Sequence, residues 1–526
     1  MTTEYASHRI NLEYAGWIDS NLICALLIDP RGGAVMPAWT RENLHRFVKD
    51  RLAGYSFIVV SSREPYIHQI VDGKVVWDKP ASGVTTGLDP ILQAAGGTWV
   101  ATGVGDADRL VVDEFNRVAV PPESPTYTLK RQWLTQEEED GFYFGFSNNA
   151  LWPLSHLAYT RPIFRETDWD AYRKVNMMYA QSVIEEIGSG PGFVFIQDYH
   201  FALLSQNLKR VDPNIVTAQF WHIPWPNPET FGICPWQEEV IDGLLGNDLL
   251  GFHTRRHSFH FMQSVAQCLE AKVDYENNTV VRNGHSTVVK AFPISIDFED
   301  FNQGAQKPEI DREMKRLREL WNVSDEFIGM GLDRIDYTKG IPERLRAIDM
   351  FFDKYPEYKR RMIFVQMGAA SRLQIAAYQA INEEVSNLVE QVNARHAMGS
   401  WRPIIYQPDD PSAVTRMAAR RLSHFAIVSS VHDGMNLVAK EYVASRFDED
   451  GVLILSIFTG AASELIDALQ VNPYSTDQFA DSIREALQMN PDERKRRMQR
   501  MRSLVQENNI YQWAADIIND TLRIQR

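Results

Sequence analysis

At 526 residues the chain is too long for a single hydrophobic core and calls for two or more domains. Hydrophobic residues at 44% and charged residues at 23% are ordinary for a soluble globular protein. The net charge of -15 argues against nonspecific nucleic-acid binding, which needs a cationic surface, so any anionic ligand must be held by a local cluster of Arg and Lys. The three cysteines, Cys24, Cys234 and Cys268, form no CxxC pair and read as buried thiols in a reducing compartment. No run approaches the ~18 apolar residues of a membrane span. The start, Met1-Thr2-Thr3-Glu4-Tyr5, lacks the basic region and apolar run of a signal peptide, and cytoplasm is the expected location.

Residues 1–54 precede the first clear strand. Within them Thr40, Glu42 and the run Leu44 to Leu52 predict a helix with no chemistry of its own, and the stretch reads as an accessory or interface extension. From about residue 55 short apolar runs alternate with longer amphipathic stretches. Phe57 to Val60, Gly192 to Ile196 and Ile215 to Trp221 read as buried parallel strands, and Val288 to Phe292 as another. Phe327 to Gly331, Met362 to Gln366, Phe425 to Ser429 and Val452 to Leu455 repeat the pattern, with helical stretches at 373–396 and 411–422 between them. Strands alternating with helices imply parallel α/β sheets, and two such sets imply two Rossmann-like halves divided near Pro293 to Asp297. The expected division is 55–295, 296–505, and a last helix in 506–526. Trp513, Ile517, Ile518 and Leu522 give that helix an apolar face, expected to pack back on the first half.

Two junctions in the second half carry chemistry. His432-Asp433-Gly434-Met435-Asn436-Leu437-Val438-Ala439-Lys440-Glu441-Tyr442 follows a buried strand, breaks at Asp-Gly and re-enters as a helix. Such a turn offers free N–H groups and a positive helix end to an anion, and Asp433 can accept hydrogen bonds from hydroxyls. Glu441 lies further along the helix. Read alone, the run serves equally as an ordinary strand–helix junction. Asp333-Arg334-Ile335-Asp336-Tyr337-Thr338-Lys339-Gly340 also follows a strand, and Arg334 and Lys339 suit a diphosphate as fork and point charge. A solvated turn is the plain alternative.

Together, and in this order, the two motifs resemble those of the retaining glycosyltransferases of the trehalose-6-phosphate synthase family. The resemblance covers about residues 55–526. It implies a GT-B type α/β fold, two Rossmann-like domains facing across a cleft that holds the active site, with no cofactor and no metal ligand from the protein. On the donor side it implies contacts from Gly83, His222, Arg334, Lys339, Asp433, Gly434, Met435, Asn436, Leu437, Val438 and Glu441. Gly83 stands in Ala81-Ser82-Gly83-Val84, where the family has a Gly-Gly-Leu loop, and it permits close backbone approach. His222 lies in Trp221-His222-Ile223-Pro224-Trp225-Pro226-Asn227-Pro228, whose prolines fix a rigid loop after a strand.

On the acceptor side the resemblance implies Arg63, Tyr143, Trp152, Tyr199 and Arg372. Arg63 follows Ser62, where the family usually has Asn. Tyr143 and Trp152 keep the family's spacing, and an aromatic face with a phenol suits a sugar ring. Asp198 and Tyr199 sit in Gln197-Asp198-Tyr199-His200, where the family has His-Asp-Tyr-His. Asp198, His222, Arg334, Lys339 and Asp433 are the expected catalytic residues. The implied reaction moves glucose from a nucleoside diphosphate to the anomeric hydroxyl of glucose 6-phosphate, with retention. UDP-glucose is the family's usual donor. Gln407-Pro408-Asp409-Asp410-Pro411 departs from well-known members near the base, so ADP- and GDP-glucose stay open. Asp409 and Asp410, between prolines, read as a helix-start turn rather than a metal site. A relative using glycerol 3-phosphate, and a catalytically silent sugar-phosphate sensor, are the alternatives; the presence of Arg334, Lys339, Asp433 and Glu441 weighs against the sensor. No nucleic-acid or membrane partner is expected, and self-association and the role of residues 1–54 stay open.

Overall fold

The computed structural model describes residues 38–80 and 83–524, together with a short pairing of Leu27–Ile28 with Ala34–Val35. Cys24, Ala81 and Ser82 lie outside the described residues. Two sheets organise the chain. The first has ten strands, in the order Lys272–Asp274, Thr279–Arg282, His285–Ala291, Leu249–Phe252, Val216–Phe220, Gly192–Gln197, Ser56–Arg63, Thr98–Thr102, Tyr127–Gln132 and Arg117–Val120. Every pairing from His285–Ala291 through Tyr127–Gln132 is parallel, and antiparallel strands finish both edges. The second sheet is six-stranded and parallel throughout, in the order Ile404–Gln407, Met362–Met367, Phe327–Leu332, Phe425–Val428, Val452–Ser456 and Leu469–Val471.

Helices cover both faces of each sheet, which is why central strands such as Gly192–Gln197 and Met362–Met367 are buried at every position. Alternation along Ser56–Arg63 sorts the packing: Ile58 and Val60 face a core rich in aromatic residues, whereas Phe57 and Val59 face the opposite one. The second core is continuous from Phe193 and Phe195 of the first sheet to Ile328, Val365 and Leu453 of the second. It runs through the helix Ile510–Ile524, which follows the second half in the chain yet lies on the first sheet. Trp513 there sits 5.5 Å from Phe195 and 4.9 Å from Phe220 between ring centroids, and its Nε1 donates to the Phe292 carbonyl at 3.2 Å.

One expectation fails, that for Cys268, and two details go beyond the sequence reading. The helix at Arg41–Arg51, capped by Thr40, is not an appendage: Leu44 and Val48 are buried in the same core as Leu88 and Ile517. Cys234 is buried as expected, but Cys268 is only half-buried, at the end of the helix Arg255–Cys268. The segment Asp140–Leu151 is a π-helix of 12 residues, wider than the α-helix and usually confined to single turns near functional sites. Gly141 and Gly145 let it lie against the helix Glu166–Ile187: a Cβ at either would come within 2.5 Å of Ala171 Cβ or Asp168 Cγ. Among the described residues no helix is long and apolar enough to cross a membrane.

Trp513→Ala should cost about 3–5 kcal/mol, as for other buried Trp truncations. Urea unfolding followed by circular dichroism would register it as a lowered midpoint; an unchanged midpoint would mean that the last helix does not support the first sheet.

Candidate active site

Both second-half motifs leave the carboxyl ends of neighbouring parallel strands, where open α/β sheets bind ligands. Phe327–Leu332 runs into Asp333, whose carboxylate pairs with the buried guanidinium of Arg344 at 2.7 Å and so fixes the turn. The turn ends at Gly340 with φ +61°, and a Cβ there would collide with the Ser429 carbonyl. Lys339 is thereby brought beside the second motif and donates from Nζ to Asp433 Oδ2 at 2.6 Å. Ser430 Oγ and Asn436 Nδ2 donate to the same oxygen at 3.1 and 3.2 Å. Burial opposes charge on Asp433, but Lys339 outweighs it and holds the carboxyl well below its usual range. Burial likewise opposes charge on Lys339, and Asp433, Asp336 and Asp333 raise it in return.

Asn436, at φ +87°, caps the helix Leu437–Ser445 by accepting from the Ala439 N–H. The helix leaves the N–H groups of Leu437 and Val438 without intrahelical acceptors, as in any first turn. Across the cleft, Gly83 opens the helix Gly83–Ala95, where a Cβ would lie 3.7 Å from Leu437 Cδ1. Gly83 is thus a helix start facing Leu437 rather than part of a free loop. Gly434 packs directly on the backbone of His222, and a Cβ there would collide with that carbonyl.

In the first half, Gly192–Gln197 ends at Asp198, held at φ +71° with its carboxylate accepting from the Tyr199 N–H at 2.9 Å and the His222 N–H at 3.2 Å. Burial raises the Asp198 carboxyl to about 7 despite those donors. His222 is half-buried, desolvation lowers its pKa to about 3, and its Nε2 meets Gln197 Oε1 at 2.9 Å. Gln197, read from sequence only as a departure from the family's His, therefore fixes the His222 ring.

The acceptor residues converge from both halves. Arg63 Nη2 donates to Tyr143 OH at 2.7 Å, with Arg63 Cζ 4.5 Å from the Tyr143 ring centroid. Arg372 comes from the second half at φ +51°, in a loop paired to the first motif through Ile335 and Ala370. Its Cζ lies 4.5 Å over Trp152 and 6.0 Å from the Tyr143 ring. Arg372 donates to Tyr378 OH at 2.5 Å and sits 3.7 Å from Asp336, which also accepts from that hydroxyl at 3.0 Å. Tyr199 lies 5.9 Å from Trp152 between ring centroids and donates to Asn148 Oδ1 at 3.0 Å. Two buried donors in the cluster, Trp152 Nε1 and Arg372 Nε, have no acceptor among the described residues. That pattern fits a site with an anion to bind. Burial alone would raise the Tyr143 phenol, but Arg372 and Arg63, aided by Arg334, bring it down to about 7.

The family model for glycosyltransferase family 20 matches residues 55–523. The chain belongs to glycosyltransferase family 20. A bifunctional trehalose-6-phosphate synthase/phosphatase from Thermoproteus tenax is 38% identical over 73% of this chain, and the chain spans 52% of that relative's length. Among solved structures, an E. coli trehalose-6-phosphate protein bound with UDP-2-fluoro glucose superposes with a TM-score of 0.79 at 29% identity, covering 89% of this chain and 99% of that one. An alpha,alpha-trehalose-phosphate synthase (UDP-forming) from Burkholderia xenovorans, in complex with glucose-6-phosphate, gives a TM-score of 0.79 at 28% identity, covering 88% and 99%.

This family 20 chain has the GT-B architecture. Of the residues singled out in the sequence, Lys339, Asp433 and Asn436 are joined by hydrogen bonds, Leu437 faces Gly83, Gly434 lies on the His222 carbonyl, and Met435 is buried in the core. Arg63, Tyr143, Trp152, Tyr199 and Arg372 form the second cluster. Arg334 is exposed beside that cluster, near enough to act on Tyr143 and Asp336. Glu441 is not free: Arg420 Nη2 donates to its Oε2. Asp410 pairs with Arg416 at 3.2 Å just ahead of the helix Ala413–Leu422. Sequence reading passed over Asn148, Gln197, Asp336, Tyr378 and Arg420. None of them lies next to its partner in the chain.

Tyr143 supplies a pH signature. An anion bound between Arg63 and Arg372 would favour the neutral phenol, so anion affinity should fall as pH rises through about 7 and the phenolate competes for the same cations. Calorimetric titration with glucose 6-phosphate on either side of that pH, against Tyr143→Phe, isolates the effect. The variant should lose the alkaline decline, and identical profiles would place the Tyr143 titration elsewhere.

Proposed function

We propose that the chain is a retaining glucosyltransferase that moves glucose from a nucleoside-diphosphate glucose, UDP-glucose by preference, to glucose 6-phosphate, giving α,α-trehalose 6-phosphate. The single observation that carries this reading is the pair of guanidiniums, Arg63 from one half and Arg372 from the other, converging on Tyr143 beside Trp152. Two cations with an aromatic wall suit a phosphorylated sugar, and only closure of the two halves completes the set. Residues 55–295 then form the acceptor half and 296–505 the donor half, with 506–526 returning to the first.

In the donor half, Lys339, Arg334 and the N–H groups of Leu437 and Val438 stabilise the charge that develops on the departing diphosphate. Asp433, kept ionised by Lys339, accepts hydrogen bonds from glucose hydroxyls. His222, kept neutral by desolvation, contacts the same sugar. None of these residues serves as a covalent nucleophile. The leaving phosphate oxygen takes the acceptor's proton on the same face, and the protein contributes orientation, electrostatics and exclusion of water.

Purified protein incubated with UDP-, ADP- or GDP-glucose and either glucose 6-phosphate or glycerol 3-phosphate, with products read by mass, tests the reading. A disaccharide phosphate is the expected product. Glucosylglycerol phosphate alone would transfer the assignment to the related acceptor, and no product with any pair would end it. Arg372→Ala should raise the KM for glucose 6-phosphate by about tenfold to a hundredfold, the value of a charge-assisted hydrogen bond, with the donor KM little changed. Equal loss for both substrates would mean that Arg372 is not an acceptor residue. Lys339→Ala should lower kcat by about 10²–10³, as for other transition-state donors.

A further inference from the structure

The strands Ile67–Val71 and Lys74–Asp78 form an antiparallel hairpin that joins neither large sheet. The hairpin lies in the chain between Arg63 and Gly83, yet supplies no side chain to the candidate site. Lys74–Asp78 is exposed at every position, and Ile70, Val71, Val75, Val76 and Trp77 all present apolar surface to solvent. Two strands alone are marginal in water, so a hairpin with this surface is an incomplete sheet.

Its two edges differ. His68 and Ile70 direct their N–H groups outward, to Asp108 Oδ1 at 2.8 Å and Asp106 Oδ1 at 2.9 Å. The Ala107 N–H donates to the His68 carbonyl at 3.1 Å, and this edge is therefore covered. His68 lies opposite Trp77, and Ile70 opposite Val75. Such pairs alternate with hydrogen-bonded ones in an antiparallel ladder, so Val75 and Trp77 turn their own N–H and C=O groups away from the hairpin. No strand among the described residues meets that second edge. Lys74-Val75-Val76-Trp77-Asp78 carries no proline, and its register shows no bulge, to block pairing.

We propose that the edge Lys74–Asp78 is a self-association surface, on which a second copy of this chain pairs antiparallel about a two-fold axis at Val76. The strand is its own complement in that register. Val75 meets Trp77 of the second copy as the hydrogen-bonded pair, and these are the residues whose backbone groups point outward. Lys74 then faces Asp78 of the second copy at both ends, and opposite charges directly across strands are favourable. Among the described residues neither side chain has an ion pair, and Asp78 accepts only from the Lys79 N–H, at 2.8 Å. A register shifted two residues toward the turn would set Asp72 against Asp78; the opposite shift would set Lys74 against Pro80 and lose both ion pairs. The two hairpins become one four-stranded sheet. A contact of this size is of the transient class, with a dissociation constant on the order of 1–100 µM. The inference is independent of the glucosyltransferase reading.

Sedimentation velocity on the full chain tests it, and the wild type should pass from monomer to dimer across about that range. Lys74→Asp and Asp78→Lys each oppose like charges across the axis, and each should weaken dimerisation by about tenfold or more. An equimolar mixture of the two variants should restore it, which misfolded variants could not do. In hydrogen exchange the Val75 and Trp77 amides should gain protection as concentration rises. A wild type that stays monomeric throughout overturns the inference, as does a dimer that both charge reversals leave unchanged or a mixture that stays dissociated. Protection of those amides at every concentration, lost on removal of residues 1–37, would give the edge to that segment and overturn it as well.

Discussion

The two halves of the molecule meet at a point where no side chain fits. Gly434 lies on the carbonyl of His222, and the Gly434 carbonyl in turn lies where a Cβ on Gly460 would be. A side chain at Gly434 would force the two backbones apart, so this glycine sets how closely the halves approach here. Everything else in the site is arranged about the contact: His253 Nε2 meets the same His222 carbonyl at 2.9 Å, and the 2.9 Å bond between His222 and Gln197 fixes the ring above it.

An acidic chain whose proposed substrates are both phosphorylated must concentrate positive charge locally and keep it from being neutralised. The cleft solves this differently on its two sides. On the proposed donor side Lys339 is hydrogen-bonded to Asp433, whose other hydrogen-bond partners are neutral, with Asp336 and Asp333 acting on the ammonium from further off. On the proposed acceptor side Arg63 and Arg372 are balanced largely by phenols, with Asp336 3.7 Å from Arg372 and Asp198 within electrostatic reach of it. A phenol is a counter-charge that can be switched off by a proton, and phosphate can therefore replace it at modest cost.

Much of this was legible in the sequence because it is local. Buried parallel strands announce themselves as apolar runs, and the strand–loop–helix motifs carry their ligand groups within a few residues, so Lys339, Asp433 and Asn436 could be named before their geometry was known. The helix Arg41–Arg51 was also legible, but its place was not: whether Leu44 and Val48 face a core depends on helices that are remote in the chain. The π-helix was hidden for a related reason. The spacing of Tyr143 and Trp152 says nothing of the winding between them, which depends on Gly141 and Gly145 fitting against the helix Glu166–Ile187. Gln197, Asp336, Tyr378 and Arg420 act only through residues that folding brings to them, and no local pattern marks such positions.

The motif helix also joins the site to the linker between the halves. Lys440, 1% exposed, sends its ammonium away from the cleft to the Ile294 carbonyl at 2.8 Å, with Glu464 at 2.8 Å as counter-charge. The last helix holds the same stretch from the other side: Ile510 N–H donates to the Ile296 carbonyl, Tyr511 OH to Asp297 Oδ2, and Trp513 Nε1 to the Phe292 carbonyl. The linker between the two sheets is therefore clamped rather than loose, and one clamp belongs to the helix whose first turn faces the ligand. A buried lysine on a backbone carbonyl is costly unless its geometry is kept. Lys440 therefore ties the helix Leu437–Ser445 to the stretch that joins the two sheets.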